Sequence, residues 1–330
     1  MRSDICTSPQ IDAMVASVLV PVLDPASPNA VTIRNIFLIV LLISLAIFVI
    51  VVTLIVTSLV RFRSTGEALP KQAFGSHTAE IFWTLPPLLI VLSLGVASTR
   101  LIYSISAAPL SQIAPTLPAD IVVVGHQWWW EIQYPRSGAT TANEIHVPIG
   151  KKLCVQVDSA DVIHSFWLPQ LGPKVDMVPG QHNFLWLEAD RAGTYEGACS
   201  EFCGDQHAWM RFIVVAEPEA QYQAWLAVQA KPAQGPESTI ALAGRSFVVA
   251  QTCLNCHEIR GTSAAASAGP DLTHVASRRQ LGAGVMENTP ETLERWLANP
   301  EAYKPGCKMP NFTMNHEQLQ QVTAYLESLR

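Results

Sequence analysis

An uncharged apolar run near the N-terminus most constrains how this chain can fold. Residues 36–60 read IFLIVLLISLAIFVIVVTLIVTSLV and contain no charged side chain. A helix of about 20 apolar residues crosses the hydrocarbon core of a bilayer, so this run predicts a membrane span. A second run, IFWTLPPLLIVLSLGVAS, begins at Ile81 and continues to about residue 106, with its two prolines near the start of the predicted span. Together the runs predict a transmembrane hairpin over residues 31–106.

Basic residues beside the spans predict their orientation. Arg61, Arg63 and Lys71 lie between the spans, so the positive-inside bias places this loop in the cytoplasm and both chain ends outside. Arg2 and Arg34 weigh against that orientation. The N-terminal segment 1–30 contains AMVASVLVPVL, a weak signal-peptide candidate without a clear cleavage site, and its processing stays open.

The remaining sequence predicts two further domains. A length of 330 residues suggests two or three units at ~100–200 residues per domain. After a Pro- and Ala-rich connector, short β-rich runs separated by Gly, Pro, Asp and Asn predict a small all-β sandwich or barrel, within a domain at 107–220. A helical pattern and the linker KPAQGPES fill residues 221–237, before a helical domain at 238–330. A net charge of -6 without a long basic run argues against a nucleic acid partner.

The stretch CSEFCGDQHAWM, residues 199–210, concentrates possible metal ligands before the last β-rich run of the sandwich. We therefore expect it to form a loop between strands. Its side chains Cys199, Cys203, His207 and Met210 include thiolates and a thioether, which favour copper, zinc or iron–sulfur clusters. Structural zinc would use the two cysteines, His207 and a distant histidine, and a mononuclear copper site would use one cysteine, two histidines and the methionine.

Two cysteines on one loop can also bridge two copper ions, and this arrangement uses every ligand of the stretch. The missing histidine would then come from elsewhere in the sandwich. His164 in DVIHSFWLP, between β-rich runs, is the first candidate. By residue type alone, His126, His146 and His182 are alternatives, and the choice among two coppers, one copper and zinc stays open at this point.

These stretches, together with GHQWWWEIQY and EIFWTLPPLLI, closely resemble subunit II of haem–copper cytochrome c oxidases over about residues 30–220. The resemblance implies a cupredoxin-like sandwich that carries a binuclear copper centre, CuA. Carried over by position, its ligands would be His164, Cys199, Cys203, His207, Met210 and the backbone carbonyl of Glu201.

The same resemblance implies roles for three further residues. Trp128 matches the aromatic residue through which electrons reach the copper, although alternation alone would fit Trp129 or Trp130 equally well. The Glu201 carboxylate matches a ligand of a magnesium ion at the interface with subunit I. Glu80 matches a carboxylate at the mouth of a proton pathway into subunit I.

The pentapeptide CLNCH, residues 253–257, is the attachment motif of a c-type haem. Cys253 and Cys256 would form thioethers, and His257 would become the proximal iron ligand. With the downstream stretches GPDLTHVASR and KPGCKMPNF, the segment resembles a class I cytochrome c over about residues 238–330. The resemblance implies Met309 as the sixth ligand, with Met314 and Met286 as alternatives.

Several other residues of the chain receive minor expectations. Gly244 and Phe247 are expected to pack against Tyr325 where the first and last helices of the cytochrome c domain cross. Pro270 and Arg278 are expected to contact the haem. No role is expected for Cys6, Cys154 and Cys307.

A copper domain fused to a cytochrome c resembles the caa-type oxidases. The resemblance implies electron flow from haem c to CuA and on to subunit I, where oxygen is reduced and protons are pumped. It implies subunits I and III, membrane lipid and an upstream donor, such as a cytochrome c or a quinol–cytochrome c reductase, as partners. The location would be the bacterial inner membrane, with both metal domains on the periplasmic side. A nitric oxide reductase subunit with CuA and a membrane-anchored electron carrier are the alternatives.

Overall fold

A computed structural model describes residues 23–63, 75–105, 119–262 and 266–330. The chain forms two compact units, one of Val31–Ser106 and the other of Met1–Ala30 together with Ala107–Arg330. The signal-peptide candidate, Cys6, Lys71 and most of the Pro- and Ala-rich connector lie outside the described residues.

The first unit contains two helices that are long and apolar enough to cross a membrane, α1 (Pro28–Arg61) and α2 (His77–Ile105). Their large hydrophobic side chains are exposed, as in helices that face lipid. Pro86 and Pro87 lie inside α2, not near its start as predicted, because the helix begins at His77. Neither proline has a backbone N–H, so the helical bonds to the carbonyls of Phe82 and Trp83 are missing.

Short alternating runs in the second unit form a sandwich of two five-stranded sheets among the described residues. The strands are β1 (Ile121–His126), β2 (Trp129–Tyr134), β3 (Ala139–Ala142), β4 (Glu144–Pro148), β5 (Leu153–Ser159), β6 (His164–Trp167), β7 (Val175–Met177), β8 (Asn183–Leu187), β9 (Gly193–Cys199) and β10 (Arg211–Glu217). One sheet has the order β3-β2-β1-β5-β8 and the other β4-β10-β9-β6-β7. The predicted cupredoxin-like sandwich is confirmed.

Aromatic side chains from both sheets fill the core near one end of the sandwich. The Trp130 ring meets Phe212 at 5.2 Å and Phe166 at 5.9 Å, and the two phenylalanines stack at 4.5 Å. Edge-to-face and stacked contacts of this kind are favourable beyond their burial. This packing fixes β2, β6 and β10 relative to one another beside the cysteines.

The stretch GHQWWWEIQY, residues 125–134, covers the end of β1, a turn and all of β2. Strands β1 and β2 pair antiparallel, with His126 opposite Trp129, so Gln127 and Trp128 form the turn. The three tryptophans therefore differ: Trp130 is in the core, Trp129 is buried, and Trp128 is half-buried in the turn.

Two segments outside the strands complete the sandwich. Near the N-terminus, Ala26 donates its amide to Gln170 O at 2.8 Å and accepts from Asp190 N at 2.8 Å. Helix α3 (Glu219–Gln229) packs Tyr222 and Trp225 against the same core. The helical pattern expected before the linker KPAQGPES is thus a helix that covers the sandwich.

The C-terminal part of the second unit is mainly helical. It contains α4 (Thr239–Ala250), a small hairpin of β11 (Gln280–Leu281) and β12 (Met286–Glu287), α5 (Pro290–Ala298), α6 (Pro300–Tyr303) and α7 (His316–Ser328). Helix α4 crosses α7 at Gly244, where a Cβ atom would overlap the carbonyl of Gln321. Tyr325 and Phe247 belong to the same hydrophobic cluster, so the predicted contact of first and last helices is confirmed.

Candidate metal centres

The cysteine-rich stretch joins two neighbouring strands of one sheet. Cys199 is the last residue of β9, and the loop that follows contains a 3₁₀ turn, His207–Trp209, before β10 begins at Arg211. His164 is the first residue of β6 and does not lie between strands as expected. Because β6 pairs with β9, with Phe166 opposite Cys199, the sheet brings His164 beside the cysteine.

Six potential donor atoms converge here. The Cys199 sulfur lies 3.8 Å from the Cys203 sulfur, 3.9 Å from His164 Nδ1 and 3.2 Å from the Glu201 carbonyl oxygen, and the Cys203 sulfur lies 3.7 Å from His207 Nδ1 and 3.8 Å from the Met210 sulfur. Ligands bound at about 2.0–2.3 Å around a tetrahedral metal are themselves about 3.5 Å apart. The donor set of sulfurs and imidazoles therefore fits a soft metal such as copper.

Burial and mutual hydrogen bonding make the two thiols unequal. Both cysteines are buried. The hydrogen bond between the two sulfurs lowers the pKa of Cys199 well below its ordinary value, against the opposing effect of burial. The Cys199 thiolate in turn, together with burial, raises the pKa of Cys203. A cation between the sulfurs would favour the deprotonated form of both.

Asp161 orients His164 and was not singled out from the sequence. Its Oδ1 lies 2.8 Å from His164 Nε2, so Nε2 donates and Nδ1 directs its lone pair towards Cys199. Burial would raise the pKa of Asp161, but hydrogen bonds from His164 and from the amides of Val162 and Gln127 outweigh it and lower the pKa. A carboxylate three residues before a candidate ligand histidine was the available signal, since ligand histidines commonly donate to a carboxylate.

The alternative histidines are occupied elsewhere in the sandwich. His126 pairs with Glu131 at 3.0 Å, and His182 pairs with Asp158 at 2.8 Å. His146 lies between Glu144 and Glu217, 2.9 Å from each. In the described part of the chain, His164 is the histidine that groups with both cysteines.

Trp128 touches both the copper loop and the cytochrome c domain. Its indole Nε1 donates to the Cys203 carbonyl at 3.0 Å, and the Gln127 side chain donates to the same oxygen at 2.8 Å. On the other side, Lys304 Nζ donates to the Trp128 carbonyl at 2.9 Å, and Lys308 Nζ lies 5.4 Å from the centre of the indole ring. The two domains thus meet at the residue expected to conduct electrons.

The CLNCH stretch begins in a 3₁₀ turn, Thr252–Asn255, with Cys253 half-buried and Cys256 exposed. His257 Nδ1 donates to the Pro270 carbonyl at 2.7 Å, which leaves the Nε2 lone pair for a metal. Burial lowers the pKa of His257 and favours the neutral ring. A Cβ atom at Gly269 would lie 2.6 Å from the ring, so glycine is the residue that fits against this side of the imidazole. These features fit a haem ligand.

The remaining haem expectations are met unevenly. Met309, Met314 and Met286 all pack partly buried against the domain core. Pro270 contacts His257 through its carbonyl. The buried Arg278 donates to the Asp271 carbonyl, and at 3.3 Å to Thr141 in β3 of the sandwich.

Both acidic residues named from the resemblance are half-exposed. Glu201 directs its carboxylate to Lys174 at 3.7 Å. Glu80, in the first turn of α2, lies 3.6 Å from His77. Cys154 lies buried in β5, and the Cys307 sulfur lies 3.5 Å from the Met309 carbonyl.

Comparison with known proteins matches all three parts of the chain. Family models match in order: "Cytochrome C oxidase subunit II, transmembrane domain" at residues 17–101, "Cytochrome C oxidase subunit II, periplasmic domain" at 136–217, and "Cytochrome c" at 241–330. The chain is 34% identical to cytochrome c oxidase subunit 2 of Alkalihalophilus pseudofirmus, over 93% of this chain and 90% of that one. It is 32% identical to the Bacillus sp. (strain PS3) protein of the same name, over 81% and 79%.

A solved structure of the periplasmic domain of subunit II of cytochrome oxidase of Bradyrhizobium japonicum is 34% identical, covers 34% of this chain and 95% of that one, and has a TM-score of 0.33. The matched families imply a CuA centre in the sandwich, a haem in the C-terminal domain, and association with subunit I in a membrane oxidase complex. The chain belongs to the cytochrome c oxidase subunit II family, extended by a cytochrome c domain.

Proposed function

We propose that this chain accepts electrons at its own haem c, passes them to CuA, and delivers them to subunit I for reduction of oxygen to water coupled to proton pumping. One observation carries the proposal. Trp128 hydrogen-bonds to the candidate copper loop through its indole and to the cytochrome c domain through its backbone carbonyl. A residue in both contacts is suited to connect the two redox sites.

The proposed copper ligands are His164, Cys199, Cys203, His207, Met210 and the Glu201 carbonyl. A copper pair bound there supplies one-electron chemistry with the charge spread over two thiolates. Asp161 holds the ring of His164 in the tautomer that presents Nδ1, and burial of both cysteines keeps water away. A rigid, dry ligand set changes little when its charge changes, which favours fast electron transfer.

In the cytochrome c domain, Cys253 and Cys256 would hold the haem through thioether bonds, and His257 would bind its iron. The Pro270 carbonyl keeps His257 in the required tautomer. We propose Met309 as the sixth ligand, since a thioether at this position raises the reduction potential and suits a donor to copper.

The remaining parts of the proposal concern the partners. The Glu201 carboxylate would bind magnesium at the interface with subunit I. In the structure of this chain, the same carboxylate lies beside the exposed Lys174. Glu80 would stand at the mouth of a proton pathway. Subunit III, membrane lipid and an upstream cytochrome c or quinol–cytochrome c reductase complete the proposed assembly, in the bacterial inner membrane with both metal domains in the periplasm.

The test injects one electron into the haem of the assembled complex by a flash and follows the copper absorption. We expect copper to be reduced as the haem is reoxidised. Trp128→Ala should slow this step by up to ~10²-fold, because small displacements of reacting groups carry costs of that size. Trp186→Ala, in β8 of the same sandwich, is the control. Haem reoxidation without reduction of copper would refute the proposal.

A further inference from the structure

A short segment of the cytochrome c domain, residues 304–308, rests on the turn that carries Trp128. We call this segment the contact loop. It directly precedes Met309, the proposed haem ligand. Lys304 and Lys308 of the contact loop reach the Trp128 carbonyl and the Gln127 side chain, at 2.9 and 3.2 Å.

Lys304 is an unusual residue for a domain interface because it is buried, with 4% of its surface exposed. Lysine is almost never buried unless its ammonium is paired. In the described part of the chain, no carboxylate lies within salt-bridge distance of Lys304. Its ammonium instead donates to two backbone carbonyls, Trp128 O and Gly282 O, each at 2.9 Å.

Those two carbonyls belong to different domains. Trp128 lies in the β1–β2 turn of the sandwich, and Gly282 follows β11 of the cytochrome c domain. The Lys304 ammonium therefore joins the Trp128 turn to the cytochrome c domain at one point. A buried ammonium satisfied by carbonyls gives directional contacts, whereas an exposed surface ion pair contributes little.

A second buried polar side chain supports the same contact. Gln206 is fully buried and lies in the copper loop, next to the proposed ligand His207. Its Nε2 donates to the Lys304 carbonyl at 3.0 Å and also to the carbonyl of Pro305. The backbone of the contact loop is thus hydrogen-bonded to the copper loop while its Lys304 side chain is hydrogen-bonded to Trp128.

Other contacts hold the domains together away from this point. Arg279 N donates to Glu144 Oε2 at 2.8 Å, Arg279 Nη1 donates to Thr194 Oγ1 at 2.7 Å, and Arg211 N donates to the Ala283 carbonyl at 3.1 Å. Loss of the Lys304 ammonium would therefore loosen the Trp128 turn and leave the domains in contact.

We propose that Lys304 is a positioning residue for electron transfer from the haem to the copper centre: its ammonium clamps the Trp128 turn against the contact loop that precedes Met309. This inference rests on the proposed function. It adds that the transfer rate depends on one buried side chain that binds neither metal.

The experiment uses the full-length chain in its assembled complex, loaded with copper and haem. Lys304→Met keeps the length of the side chain and removes the ammonium, and Lys304→Arg restores a cationic donor. After flash injection of an electron into the haem, we expect Lys304→Met to slow copper reduction by roughly tenfold to 10²-fold. Lys304→Arg should recover part of the rate. Both reduction potentials and the copper spectrum should stay as in the unmodified protein.

Lys152→Met is the matched control, since that ammonium lies over the Trp186 ring at 4.8 Å and away from the contact loop. If Lys304→Met fails to load its metals, Lys304→Gln, which keeps a neutral donor, takes its place with a smaller expected loss. If metal-loaded Lys304→Met, or Lys304→Gln in its place, reduced copper at the unmodified rate, the inference would be overturned. Absence of haem-to-copper transfer in the unmodified protein would instead refute the proposed function.

Discussion

The two candidate metal regions are built in opposite ways. The copper region gathers His164, Cys199 and the loop up to Met210 from two paired strands and a connection, across a long stretch of sequence. The haem region takes Cys253, Cys256 and His257 from one pentapeptide. A copper site of the first kind forms only when the sheet has formed, whereas haem attachment needs a local motif.

The candidate ligand histidines of the two regions are also held differently. His164 donates to the Asp161 carboxylate at 2.8 Å, and His257 donates to the neutral Pro270 carbonyl at 2.7 Å. A charged acceptor makes the ring a stronger electron donor than a neutral one does.

The largest effect is expected from substitutions in the haem region. Cys253→Ala or Cys256→Ala should remove covalent haem, because each cysteine would supply one thioether. Haem staining after denaturing electrophoresis measures this loss. Cys307→Ala is the control and should keep the stain. Retention of covalent haem in both variants would show that the pentapeptide is not the attachment site.

The second largest effect is expected from a substitution in the copper region. Cys203→Ser should abolish the electron paramagnetic resonance pattern of one electron shared by two copper nuclei, because one of the two proposed thiolate ligands would be lost. Cys154→Ser, in β5 of the same sandwich, should leave the pattern intact. A pattern from a single nucleus in the unmodified protein would contradict a binuclear site.

A smaller effect tests the difference between His164 and His257 in their hydrogen-bond acceptors. Asp161→Asn should weaken copper binding by about 10–100-fold, the usual cost of losing a partner of a ligand histidine. The amide would keep the oxygen that accepts from His164 and Val162 but lose the charge and the bond from the Gln127 amide to Oδ2. Competition with a copper chelator measures the affinity. Asp158→Asn, whose carboxylate binds His182, should bind copper normally.

The smallest effect concerns pH at the junction of the two regions. Burial lowers the pKa of Lys304 to about 7. The unfolded chain keeps that proton up to about pH 10.4, so it binds more protons than the folded chain between these values. Stability should therefore rise with pH in this window, by at most about 1.4 kcal/mol per pH unit.

The check is the difference in unfolding midpoint between pH 7 and pH 9, measured for the unmodified protein and for Lys304→Met. The unfolding midpoint of Lys304→Met should rise less between these pH values, and that of Lys152→Met should rise as much as in the unmodified protein. Equal rises in the unmodified protein and Lys304→Met would contradict the assignment.

Much of the architecture could be predicted because its signals are local. A long apolar run without charged residues predicts α1, and alternating apolar and polar residues between turn residues predict the sandwich. The CLNCH motif can be recognised without any residue from another part of the chain. The same local reasoning misplaced Pro86 and Pro87, because the start of α2 at His77 has no apolar signal.

The sequence by itself determined the ligand types, their spacing and the order of three domains, since these follow from composition and short motifs. Residue type alone left four histidines open, and tertiary structure brings His164 beside the cysteines because β6 pairs with β9. It also decided that Lys304 joins the two domains at Trp128 and that Gln206 bonds to the backbone of the contact loop. Such contacts depend on how distant segments pack, and no local pattern encodes them.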